Sequence, residues 1–103
     1  MSVPHISAAE AARLFDAGEA VPLDVREPDE FASGHIAGAM LLPLGDIPAK
    51  AAEMLPDKAA PLVVYCRSGA RSDMAAQQLE SMGYTNLRDM GGVMYWPYEL
   101  DYS

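Results

Sequence analysis

Leu62-Val63-Val64-Tyr65, then Cys66, then Arg67-Ser68-Gly69-Ala70-Arg71-Ser72, then Asp73-Met74-Ala75-Ala76-Gln77-Gln78-Leu79-Glu80-Ser81-Met82 and Gly83 form the stretch that decides the fold. The short apolar run reads as a buried strand. The polar segment after it, with one glycine and two arginines, reads as a tight cationic loop. The next ten residues carry a helical pattern that Gly83 can close. A strand, a cationic loop and a helix N-terminus in that order make an anion site. A thiol at the mouth of such a site is expected to supply thiolate at neutral pH. Cys66, the only cysteine of the chain, is therefore a candidate nucleophile.

Upstream, Ser7 and Glu10 have capping-box spacing, and Ala11, Leu14 and Phe15 share one helical face up to Gly18. Val21-Pro22-Leu23-Asp24-Val25 reads as a strand with proline near its start. Pro28 suits the first turn of a short helix through Phe31, ending near Gly34. Ala39-Met40-Leu41-Leu42 reads as another buried strand, and Asp46 as the cap of a helix over Ile47 to Leu55. Downstream, residues 86–90 predict a last strand, Gly91-Gly92 a turn, and residues 93–96 a short helix limited by Pro97. Strands alternating with helices predict an α/β fold with a parallel sheet covered on both faces. Asp24 and Cys66 both fall at strand ends, where such sheets bind ligands.

The chain has 103 residues, which fits one domain over 1–103, and half of them are apolar. One cysteine cannot form an internal disulfide, so the fold does not require an oxidising compartment. Met1-Ser2-Val3-Pro4-His5 shows no leader pattern, and no apolar run reaches the length of a membrane span. A cytoplasmic setting is the expectation. The net charge of −8 argues against nucleic acid or an anionic membrane as partner. Yet Arg67 and Arg71 crowd beside Cys66, so the local signal runs against the global one.

Four segments resemble the single-domain rhodanese-type sulfurtransferases: Leu23-Asp24-Val25-Arg26-Glu27 with Glu30-Phe31; Gly34-His35-Ile36 through Gly38-Ala39; Cys66 to Ser72; and Gly91-Gly92 with Trp96. The resemblance implies a three-layer α/β/α fold around a five-stranded, mainly parallel sheet. It implies a Cys66 persulfide, loaded from a donor such as thiosulfate and unloaded onto cyanide, a small thiol or a protein dithiol such as thioredoxin. Ala37 stands where proline is frequent in that family and Tyr95 where alanine is usual.

Sulfur transfer needs an ionised thiol and donors for the charge of a persulfide. It needs no metal or organic cofactor, since sulfur is already a soft nucleophile and sulfite leaves readily. The amides from Arg67 through Ser72, including those of Ser68, Gly69 and Ala70, are expected to wrap toward the sulfur. Arg67 and Arg71 can bind a sulfonate; the resemblance implies that Arg67 is the more exposed, substrate-facing residue and Arg71 in part a loop brace. Ser72 is expected to cap the helix. Asp24 and Arg26 point to one face of their strand and are expected to form an ion pair that fixes the strand end. The resemblance implies that His35 is structural and bonds nearby backbone, while Met40, Met54, Met74, Met82, Met90 and Met94 are expected to fill the core. Trp96 is expected to pack on the sheet.

Three other readings fit the chain less well. Cell-cycle phosphatases and arsenate reductases share the fold but place five residues between cysteine and arginine. Here four residues lie between Cys66 and Arg71, a ring suited to one sulfane sulfur rather than a tetrahedral phosphate. A non-catalytic binding or regulatory domain would not need the cysteine and its whole loop. A thiol redox sensor would lack a resolving cysteine in this chain. The expected state is a monomer or dimer.

Overall fold

In a computed structural model of the chain, residues 3–102 are described. Met1, Ser2 and Ser103, which the terminal reading and the domain bounds include, lie outside the described residues. The elements run α1 (Ala8–Asp16), β1 (Val21–Asp24), α2 (Pro28–Ala32), β2 (Met40–Leu41), α3 (Ile47–Met54), β3 (Leu62–Cys66), α4 (Ala70–Ser81) and β4 (Leu87–Gly92). Single 3₁₀ turns occupy Leu44–Asp46 and Val93–Tyr95.

Local chemistry explains most boundaries. Ser7 Oγ accepts the Glu10 amide at 3.1 Å, closing the capping box at the start of α1. α2 starts at Pro28, with the Glu27 amide donating to Glu30 Oε1 at 3.0 Å. Asp46 makes no side-chain cap to α3, contrary to the sequence reading, because it ends a 3₁₀ turn that already leads into the helix. α4 begins at Ala70, three residues earlier than the periodicity suggests. The loop after Cys66 is therefore only Arg67, Ser68 and Gly69.

The four described strands are all parallel, in the order β2-β1-β3-β4. The resemblance implied five. At the β4 edge the Asp89 amide donates to Pro4 O at 3.0 Å and the Ile6 amide to Asp89 O at 3.1 Å, giving one bridge at His5. Pro4 has no amide proton and Ser7 already caps α1, so the ladder cannot grow into a strand on either side of that bridge. β4 also extends farther than expected. Gly91 and Gly92 pair with Tyr65 and Cys66 instead of forming a turn, and Met90 is an extra residue bulged out of the register.

β3 is buried along its whole length and divides the core. Leu62, Val64 and Cys66 face α3 and α4, packing with Ala51, Ala75, Ala76 and Leu79. Val63 and Tyr65 face the other layer, with Ala11 of α1, Ile36, Val93 and the partly buried Phe15 and Trp96. The strand alternation thus builds the α/β/α layers. Met40, Met54, Met82 and Met90 pack against these clusters, but Met74 and Met94 are about half exposed and fill no core. No helix among the described residues is long and apolar enough to cross a membrane.

Candidate active site

Cys66 is the last residue of β3, so its thiol stands where strand hydrogen bonding stops and the loop begins. The chain then reverses within three residues, which forces an unusual backbone at the turn. Gly69 takes φ +116°, a conformation that a side chain would strain. As the N-cap of α4, Gly69 turns its amide back onto the sulfur: Gly69 N–H donates to Cys66 Sγ at 3.0 Å. Asp73 N–H makes the first bond of the helix, to Gly69 O at 3.1 Å. The amides of Ala70, Arg71 and Ser72 are thus first-turn donors with no carbonyl four residues back within the helix. Their partial positive charge gathers at the end of the strand that carries the thiol. Cys66 is only 1% exposed, so this is a nearly sealed sulfur rather than a surface one.

Two contacts hold the loop in shape. Ser72 is fully buried, and its hydroxyl donates to Gly69 O at 3.0 Å. It stands inside the first turn and braces the N-cap residue instead of serving as the cap. From the other side, β4 lies directly under the loop. A Cβ on Gly92 would come within 2.5 Å of Arg67 O and 2.7 Å of Ser68 Cα, so no other residue fits without moving the loop. Arg67 O also accepts the Met94 amide at 3.1 Å. The sequence reading treats Gly91-Gly92 as a turn and gives Gly92 no part in the site. Its role comes from a tertiary approach that sequence spacing does not encode.

The two arginines that follow Cys66 differ: one lies in the loop and the other in the first turn of α4. Arg67 is exposed, as are Ser68 and Ala70. Arg71 reaches across to α2, where Nη1 donates to Glu30 Oε1 at 2.6 Å and Nη2 to Glu30 Oε2 at 2.9 Å. Both side chains are partly buried. The ion pair with Arg71, outweighing burial, lowers the Glu30 carboxyl from its usual 4.5 to about 2. Arg71 is correspondingly raised, first by Glu30, with the Cys66 and Glu27 charges adding to the effect. Glu30 lies within a segment that carries the family likeness, but nothing in the sequence pairs it with Arg71, 41 positions away.

At the end of β1, Asp24 and Arg26 form a second ion pair, with Asp24 fully buried and Arg26 4% exposed. Arg26 Nη2 donates to Asp24 Oδ2 at 2.7 Å and to Gly34 O at 2.8 Å. Arg26 Nε and its own amide complete the set on Asp24 Oδ1, at 3.0 and 2.9 Å. Burial works against the Arg26 charge, but the bonds to Asp24 outweigh it and its pKa is raised. The guanidinium lies 5.7 Å from the Tyr65 ring centroid, and Tyr65 Oη accepts the Ile36 amide at 3.1 Å. Burial pushes the Tyr65 hydroxyl well above its ordinary pKa, so it stays protonated. This network ties β1 and β3 to the 34–36 segment that follows α2. His35 stacks on Phe31 and its Nδ1 lies 2.8 Å from Phe31 O, a backbone contact rather than one to the thiol.

Among the described residues, His5, Asp73 and Asp89 bring possible metal-ligand atoms within 4.8 Å of one another. That set contains no loop arginine and no Cys66, and one Asp89 oxygen already accepts the Gly91 amide at 2.8 Å. A cavity of about 760 Å³ lies against α1, lined by Phe15, Ile36, Trp96 and Tyr98, with no residue of the Cys66 loop in its wall. The thiol is bonded by the Gly69 amide, and this cavity lies apart from it.

The family model for the rhodanese-like domain matches residues 7–97. This chain belongs to the rhodanese family. It is 37% identical to the thiosulfate sulfurtransferase PspE of Escherichia coli K12 over 71 residues, covering 69% of this chain and 68% of that one. It is 33% identical to the thiosulfate sulfurtransferase GlpE of Pseudoalteromonas translucida, over its full length and 95% of that protein. Among solved structures, the human single-domain sulfurtransferase TSTD1 superposes with a TM-score of 0.76 at 31% identity, over 87% of this chain and 90% of that one. A rhodanese-related protein from Thermoplasma volcanium gives a TM-score of 0.85 at 27% identity, over 97% and 99%. The rhodanese fold of this chain is α/β with a parallel sheet, and its Cys66 segment lies inside the matched residues.

Proposed function

We propose that the protein is a thiosulfate sulfurtransferase that works through a persulfide on Cys66. The observation that carries this reading is the 3.0 Å bond from Gly69 N–H to a thiol set at a helix N-terminus. In the first half-reaction the Cys66 thiolate attacks the outer sulfur of thiosulfate. The sulfur–sulfur bond of the donor breaks and its electron pair leaves with sulfite, giving a Cys66 persulfide anion. In the second, an acceptor attacks the terminal sulfur, and the electron pair of the cysteine persulfide bond returns to Cys66 as thiolate. Cyanide would leave as thiocyanate; a small thiol or a protein dithiol such as thioredoxin would carry the sulfur away as its own persulfide. No step requires a metal or an organic cofactor.

Each residue has a role in this scheme. Gly69 N–H holds the charge of Cys66 before attack, and the remaining first-turn amides of Ala70, Arg71 and Ser72 receive the added sulfur. Arg67, exposed at the rim, meets the sulfonate end of the donor. Arg71 braces the loop through Glu30, Ser72 braces Gly69, and Asp24 with Arg26 fixes the strand end beside β3. A tight loop around a nearly closed sulfur suits a slim sulfane atom better than a tetrahedral phosphate. We place the reaction in a reducing, cytoplasmic compartment, where a lone thiol stays free.

The test is thiocyanate formation from thiosulfate and cyanide. Turnover should be lost in Cys66→Ser with the fold intact. Hydrolysis of an aryl phosphate by the wild type at comparable rates, with no thiocyanate formed, would favour the phosphatase reading instead.

A further inference from the structure

The two arginines beside Cys66 do not offer the donor the same charge. Both terminal nitrogens of Arg71 are engaged by the two oxygens of Glu30, in the fork geometry that carboxylates and guanidinium groups share. The pair is close to neutral when seen from the mouth. No ion pair is formed by Arg67 among the described residues, and its side chain belongs to an exposed residue. The rest of the neighbourhood is acidic: Glu27 and Asp29 flank Glu30 on or beside α2, and Asp73 follows the loop. A molecule with a net charge of −8 has little long-range attraction for a small anion, so the local balance decides how well one is held.

We propose that Glu30 is the residue that sets donor charge selectivity. By holding Arg71 in a two-bond ion pair it leaves Arg67 as the one cation that meets the donor, and so limits the preference for doubly charged donors. The inference rests on the sulfurtransferase reading above. Glu30 acts through Arg71 and touches no reacting atom, so it is a positioning and charge-setting residue, not a catalytic one. Its carboxylate also accepts the Glu27 amide, which α2 needs at its start. The charge-neutral variant Glu30→Gln keeps an acceptor for that bond while releasing one positive charge toward the mouth.

The experiment compares thiosulfate, which carries two negative charges, with an arenethiosulfonate, which carries one. Steady-state kinetics at pH 7.5 would be measured for both donors with cyanide as acceptor. Glu30→Gln should lower KM for thiosulfate by about three- to tenfold, steepen its salt dependence, and change kcat much less. The KM for the singly charged donor should fall less, so the donor ratio moves toward thiosulfate. Arg71→Gln should do the reverse, because it leaves Glu30 unneutralised beside the site. The double variant Glu30→Gln/Arg71→Gln should return KM to within about twofold of wild type, as expected for two charges that cancel. If the double variant stays as impaired as Arg71→Gln alone, Arg71 binds the donor directly and the inference is overturned. An unchanged donor ratio in Glu30→Gln overturns it as well.

Urea midpoints on each variant separate loss of fold from loss of binding. Should Glu30→Gln not fold, Arg67→Gln, on an exposed side chain, carries the same test. Its KM for thiosulfate should rise by about tenfold, with the donor ratio moving toward the singly charged donor, and an unmoved ratio would contradict the proposal. If both donors load Cys66 while the ratio ignores these variants, the charge-setting role fails alone. If neither donor loads wild-type Cys66, the sulfurtransferase reading fails with it.

Discussion

Among the described residues two arginine–carboxylate pairs brace the molecule, and they do different work because of where they stand. Asp24 and Arg26 are two residues apart and almost wholly buried, with the remaining valences spent on Gly34 O and the Arg26 amide. Glu30 and Arg71 are 41 residues apart and about a quarter to a third exposed. The first pair cannot be opened without leaving an ion in the interior. The second is partly open to solvent, so removing one partner need not leave an ion in the interior. A structural anchor and a charge regulator thus come from one chemistry, sorted by burial.

The comparison can be broken first at the buried pair. Arg26→Ala should leave Asp24 as an uncompensated buried carboxylate and cost about 3–5 kcal/mol of stability, read from urea unfolding. A loss no larger than that of a surface variant would show that water reaches this pair.

Gly92 sharpens the contrast, because the Arg67–Gly69 loop that leads into α4 is held from below by shape instead of charge. Gly92→Ala must push the Arg67–Ser68 backbone away, at a cost of about 1–3 kcal/mol. It should slow sulfur loading of Cys66 well beyond that of a β4 variant remote from the loop. Wild-type loading rates in Gly92→Ala would mean that the loop does not depend on this contact.

The smallest effect belongs to the partly buried Glu30–Arg71 pair and is a pH dependence. Glu30 titrates near 2 when folded and near 4.5 when free, so the unfolded chain binds its proton first as pH falls. The pair contributes its full stability above about pH 5.5 and loses it as pH drops through 4.5 toward 2, in total about 1–2 kcal/mol after screening. The stability gap between wild type and Glu30→Gln should therefore shrink between pH 6 and pH 3. A gap that stays constant over that range would remove the ion pair as its source.

How much of this was legible beforehand depended on sequence distance. The strand, the cysteine and the helix that follows form one contiguous stretch, so β3 and α4 could be read with the thiol between them. The Ser7–Glu10 capping box is equally local. Ser72 looks like a cap, which puts the start of α4 too late from sequence alone, whereas its hydroxyl turns inward to Gly69 O and the helix begins at Ala70. The fifth strand depended on one proline at the β4 edge. Glu30 and Gly92 were not legible as site residues, since their parts arise when α2 and β4 are brought against the loop. Met74 and Met94 read as core by type, but their elements present them outward.

The most direct test is the intact mass of the protein after incubation with thiosulfate. The account predicts a gain of one sulfur atom, removed by cyanide and absent from Cys66→Ala. An unchanged mass in the wild type, or the same gain in Cys66→Ala, would contradict it.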